Sequence, residues 1–505
     1  MFGRLILLIT ALGSTVLAGT AGPGAKAVPT DEAAITHLVN RLTYGPRPGD
    51  VERIRAMGVE KWIDQQLSPD RIDNHALDAR LARLETLALD SRTIIQDYAE
   101  PAMAERQQRK LDESRELGTG SREPGSGNAE PNMLPAAGSR MPSEAERKDR
   151  EVLTDLEEAK LLRALYGERQ LEEVLVDFWF NHFNVFAGKG QTRNYVNDYE
   201  REAIRPYVLG KFRDMLGATA KHPAMLFYLD NWQSSAAGAT GATGATGARG
   251  AAGAAGARRV TGINENYARE LLELHTLGVD GGYTQQDVVN VARAFTGWTM
   301  RPREGSGFIF APGRHDRDEK IVLGHTIRGG GGIDDGERVL DIVAAHPSTA
   351  RHIAKELAIR FVSDDPPAAL IDRTAAVFTS TKGDLRAVVR SIITSPEFYA
   401  ADARRAKVKT PFEFVVSALR ATGADVRTAL PLARTLRDMG MPLYFCQPPT
   451  GYDDTAATWV SAGALVSRMN FAVDLAKNQV RGVRVPLSEE QTMALKIGAP
   501  EFQRQ

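Results

Sequence analysis

The chain has 505 residues, and its 63 Lys and Arg are balanced by 64 Asp and Glu, a net charge of -1. That length can bury a large core, and the charge balance gives no drive toward nucleic acid or an anionic membrane. Cys446 is the only cysteine, which excludes internal disulfides, thiolate-rich zinc sites and the C-x-x-C-H haem motif.

In chain order, Arg4, the apolar run from Leu5 to Ala18 and the small-residue site Ala25-Lys26-Ala27 read as a secretory signal peptide over 1–27. The run is short for a bilayer span, no paired arginine precedes it, and nothing later is apolar enough to cross a membrane. The expectation is an exported protein, periplasmic or extracellular, with no transmembrane segment after cleavage. Residues 28–106 read as the N-terminal helical part of the core, with a periodic segment from Asp50 to Leu67.

From Gln107 to Arg147 the chain is rich in Gly, Pro, Ser, Glu and Arg and lacks apolar periodicity, which predicts a disordered insertion. The main helical domain is expected over 148–480, with periodic segments at Asp155–Tyr166, Ser348–Val362 and Asp384–Thr394. Glycine occupies every third position from Gly238 to Gly256. The period is collagen-like, but proline is absent, so a flexible loop over 236–259 is expected. Thr284-Gln285-Gln286-Asp287 and Thr410-Pro411-Phe412-Glu413 are capping boxes, with Gly297 and Gly423 as terminators. Residues 481–505 read as a C-terminal tail. The expected fold is all-α, a single large multi-helix globular domain with two low-complexity insertions.

Six segments are similar to a large bacterial family of uncharacterised exported proteins, domain of unknown function 1800. They are His37–Gly45, Phe178–Asn184, Ala220–Asp230, Asn264–Gly278, Tyr283–Trp298 and Gln447–Tyr452. The resemblance implies an exported helical protein, often encoded beside a second uncharacterised exported family resembling sulfatase and phosphatase folds. It supplies no catalytic residue.

Two imidazoles draw attention on helical wheels. Over Leu171–Phe186, most of the circumference is apolar and His182 lies within the apolar arc. Over Asn264–Leu277, His275 lies among Tyr267, Ala268 and Leu271, with Asn266, Glu270 and Glu273 on the polar flank. A buried imidazole must find a partner. The commoner partner is a carbonyl, hydroxyl or amide. The functional reading brings His182 and His275 together with Glu270 or Glu273 as catalytic residues of an acid–base or divalent-metal centre. The spacing matches neither H-E-x-x-H nor E-x-x-H, so no metal is specified. Asn181, Glu200, Arg201, Asn266 and Arg269 are the candidate substrate-binding residues, with Glu265 and Arg269 spaced as a surface ion pair.

Other features read as structural. His352, Glu356 and Arg360 are spaced as an exposed salt-bridge row. Gly329–Gly332 lacks the Gly-Lys-Ser/Thr of a P-loop, so no nucleotide is expected. Gln447-Pro448-Pro449 is a turn that would line a pocket with Tyr452 and Trp459. The function expected is an envelope or extracellular binding or assembly factor acting with another exported protein. The alternative is a metal-dependent or acid–base hydrolase built on the His/Glu interior.

Overall fold

The computed structural model describes residues 28–118, 141–237, 262–486 and 490–505. Helices dominate it. Strand is confined, among the described residues, to three two-stranded antiparallel ribbons. These pair Trp298–Thr299 with Ile309–Phe310, Lys320–Val322 with His325–Ile327, and Asp425–Val426 with Val483–Arg484.

Local chemistry sets the helix starts. Thr410 accepts from the Glu413 amide while the Glu413 carboxylate accepts from the Thr410 amide, and Pro411 opens the helix Pro411–Ala421. This helix is buried along nearly its whole length, including the charged Glu413 and Arg420, which find polar partners inside. The Thr284 box opens Gln285–Ala294 in the same way, and Asp384 caps Leu385–Ile393. Gly297 and Gly423 both take positive φ after their helices. The segment Asp50–Leu67 is two helices, Asp50–Met57 and Val59–Gln66, because Gly58 between them has φ 95°.

Both edges of the region read as an insertion are helical. Glu100–Gly118 enters it from one side, and Glu144–Tyr166 begins before its end with a Ser143 capping box. Residues 119–140 and the glycine repeat at 238–256 lie outside the described residues.

The segment 481–505 is no tail. Val483–Arg484 forms a ribbon with Asp425–Val426. The Gln503 carbonyl accepts from the Lys409 amide (2.9 Å), and the Gln505 amide donates to the Lys407 carbonyl (2.9 Å). Gln503 Oε1 accepts from Arg468 (3.0 Å), and Gln505 Nε2 donates to Glu413 (2.8 Å). Polar side chains that satisfy buried charges leave no apolar period in the sequence, which is why the segment looked peripheral. One continuous apolar core runs from Ala34 to Ile497. Among the described residues no helix is long and apolar enough to cross a membrane.

Candidate functional site

The site grows from the C-terminal end of the helix Gln170–His182, whose Leu171, Val174, Leu175 and Trp179 anchor it in the core. Its last turn holds a loop. Asn181 Nδ2 donates to the Tyr452 carbonyl (2.7 Å) and its Oδ1 accepts from the Tyr452 amide (2.7 Å). Three residues on, Asn184 Nδ2 donates to the Cys446 and Pro448 carbonyls (3.0 and 2.8 Å). Each carboxamide thus replaces bonds that a neighbouring strand would supply. Gly451 sits at φ +71°, where a Cβ would collide with both oxygens of Asn181. Gly451→Ala is therefore expected to cost about 2–3 kcal/mol through strain and displacement of this loop. Chemical denaturation measures it, and an unchanged midpoint would contradict the clasp.

Between this loop and the helix Pro347–Phe361 lies a cavity of about 400 Å³. Asp177, Phe178, Asn181 and His182 form one wall, and His352, Glu356 and Arg360 another. Glu273 and Leu274 line it as well, and the loop side is lined by Tyr444, Cys446, Tyr452 and Asp454, with the exposed Thr450 at its lip. Its two cations are held in place. Lys160 pairs with Asp177 (2.5 Å) amid the rings of Phe180, Phe412 and Tyr444. Arg360 pairs with Glu413 and, at 3.6 Å, with Asp454.

The histidines gather where a helix unravels. Glu265–Glu273 ends before Leu274, so the last carbonyls lose their helical donors. His352 Nε2 donates to the Leu274 carbonyl (3.1 Å), and His182 Nε2 donates to the His275 carbonyl (3.2 Å). A carbonyl can only accept, so these bonds place a proton on each Nε2. The His182 ring lies 6.3 Å from that of His275 and 6.1 Å from that of His352. Burial pushes His275 down to about 3 and His182 well below the usual histidine range, with His352 adding to both shifts. Both rings are uncharged at neutral pH. Burial also pushes the Cys446 thiol up to about 11, so it is no thiolate.

The sequence model of a family described as a protein of unknown function, DUF1800, matches residues 37–503. The chain belongs to the DUF1800 family. No curated protein and no solved structure matches it. Every residue of the cavity wall falls within the DUF1800 span.

Within the DUF1800 domain, the residues singled out from the sequence divide. His182, Asn181 and Glu273 reach the cavity, and the Tyr283 hydroxyl donates to Glu273 (3.2 Å). His275 is close to His182 but sealed behind the wall, its ring against Phe183. Glu270 lies off the wall, half-buried, and burial raises its pKa. Asn266 is exposed. Arg269 makes the surface pair read from its spacing, 3.7 Å from Glu265, and also reaches Gln285 (2.9 Å).

Glu200 is buried behind Tyr444, whose hydroxyl donates to it (2.7 Å). Burial alone would raise its pKa, but Arg205, Lys160 and Arg163 hold it at about 2. Arg201 bonds Asp198, Glu202 and the Leu87 and Leu89 carbonyls. Neither lines the cavity.

His352 and Glu356 were read as an exposed row and instead face the cavity, while Arg360 is buried and makes no pair with Glu356. A position beside the apolar arc meets a neighbouring element whenever the helix is surrounded. Tyr452 lines the cavity as expected. Trp459 stands behind it, donating to the Asp453 carbonyl (2.7 Å). Among the described residues, no group of three or more His, Cys, Asp or Glu is placed to hold a metal ion.

Proposed function

We propose that this DUF1800 protein is an exported ligand-binding protein that acts with another exported protein. The cavity is its ligand site. The observation that carries this reading is the preorganised wall. Asn181, Asn184, Lys160, Arg360 and Tyr444 are each fixed by a named internal bond, so the cavity keeps its shape without a ligand. Export rests on the signal-peptide pattern over 1–27. A partner is supported by the helix Ala462–Ala476, which exposes Leu465, Val466, Met469 and Val473 in a stripe.

The protein purified from its native source, denatured and analysed by mass spectrometry, is expected to release a small molecule in stoichiometric amount. Thr450, exposed at the lip, allows a control. Thr450→Trp should reduce the released amount at least tenfold while the melting temperature holds. No released compound from either protein would overturn the binding reading.

A second reading, acid–base hydrolysis, is favoured by one observation: the uncharged His182 imidazole shares the cavity with Glu273. Release of a cleaved compound in the same experiment would favour it.

A further inference from the structure

The hydrogen-bonding capacity left over in the cavity is lopsided. Most of its donor-bearing side chains already have a partner. Asn181 and Asn184 donate to loop carbonyls, and the Tyr444 and Tyr452 hydroxyls donate to Glu200 and to the Pro442 carbonyl (2.8 Å). His182 and His352 donate through Nε2 to the His275 and Leu274 carbonyls, respectively. Lys160 and Arg360 are matched by carboxylates.

The acceptors are not occupied to the same degree. The Glu356 carboxylate has no ion pair or hydrogen bond to another described residue. Glu273 accepts only from Tyr283. Asp454 has one buried carboxylate oxygen without a hydrogen-bond partner. Nδ1 of the uncharged His182 holds a lone pair. Five carboxylates (Asp177, Glu273, Glu356, Asp453 and Asp454) line the cavity against two cations. The aromatic side chains of Phe178, Tyr444 and Tyr452 supply much of the remaining wall.

We infer that the cavity takes an organic cation, a protonated amine bearing several N–H or O–H donors. Such a ligand supplies both things the wall lacks: positive charge and donors. Its carbon skeleton lies against the aromatic side chains, where a cation is also attracted to ring faces. A carboxylate or phosphate ligand would meet Glu356, Glu273 and Asp454 with like charge, and the two cations it could approach already have carboxylate partners. Glu356 is the specificity-determining residue, because its carboxylate is both on the wall and unpaired. The inference rests on the cavity's being a ligand site.

The test is isothermal titration of the full chain with four probes: 1,4-diaminobutane, glucosamine, N-acetylglucosamine and succinate. The two amines are expected to bind, more weakly as salt rises, and the neutral and acidic probes to bind at least tenfold more weakly. Glu356→Gln should weaken amine binding at least tenfold with the melting temperature unchanged. Equal binding of N-acetylglucosamine or succinate, blocked by Thr450→Trp, would overturn the cation inference and leave the binding reading standing. Amine binding unchanged by Glu356→Gln would also overturn it. Failure of all four probes to bind would sink the cation inference, whereas the binding reading falls only if the native protein releases no compound.

Discussion

Glu413→Ala is expected to destabilise the protein by about 3–5 kcal/mol, the usual cost of stranding a buried charge. Glu413 is buried, accepts from the Thr410 amide (2.9 Å) and from Gln505 (2.8 Å), and pairs with Arg360. Burial pushes its pKa up, but Arg360 and these bonds hold it at about 2. Alanine would remove one half of a capping box and leave Arg360 with only Asp454 at 3.6 Å. Urea denaturation monitored by circular dichroism measures the loss. A companion variant, Glu413→Leu with Arg360→Met, should lose much less than the two single changes together, because neither member of this pair is then left buried without the other. A loss under 1 kcal/mol for Glu413→Ala would show that Arg360 finds other compensation.

Acid is expected to unfold the protein through its histidines. Burial lowers His37 to about 4 and His222 and His275 to about 3, and takes His182 well below its ordinary value. In the unfolded chain each titrates near 6.5. Between about pH 6.5 and the folded values, the unfolded state binds protons that the folded state refuses. Stability therefore falls as pH drops through that window, by about 1.4 kcal/mol per pH unit for each group. Glu157, raised to about 7 by burial, runs the other way down to about pH 4.5, and carboxylates such as Asp198 and Glu270 shrink the slope further. A single variant isolates the effect. His275→Asn should flatten the stability-versus-pH curve between pH 4.5 and 6 by one proton, about 1.4 kcal/mol per unit. An unaltered slope would mean that the folded protein already carries a charged His275.

What the sequence made legible was mostly local. The Thr410 box and the Thr284 box each involve residues three apart, so spacing alone located them. The inward turn of His182 and His275 followed from one helical wheel each, and their approach to 6.3 Å agrees with the expected meeting. The carbonyl partner of His182 was legible only as a class, since His275 lies 93 residues away.

His352 and Glu356 were missed for a related reason. Which flank of a surrounded helix faces a cavity depends on the elements packed beside it, and a single-helix wheel has no information on those. Asn181 was placed at the site, but its role differs: it clasps Tyr452, 271 positions on. The glutamines at 503 and 505 carried no signal at all, because their partners are Arg468 and Glu413, far back in the chain.

That 271-residue separation has a consequence for when the cavity can first exist. The sides of the cavity at Tyr452 and Asn181 meet only after nearly the whole polypeptide has been synthesised, and joining such distant pieces is slow. No nascent or half-folded chain possesses the chamber. The cavity is therefore a property of the finished fold alone, assembled last from pieces that leave the ribosome far apart.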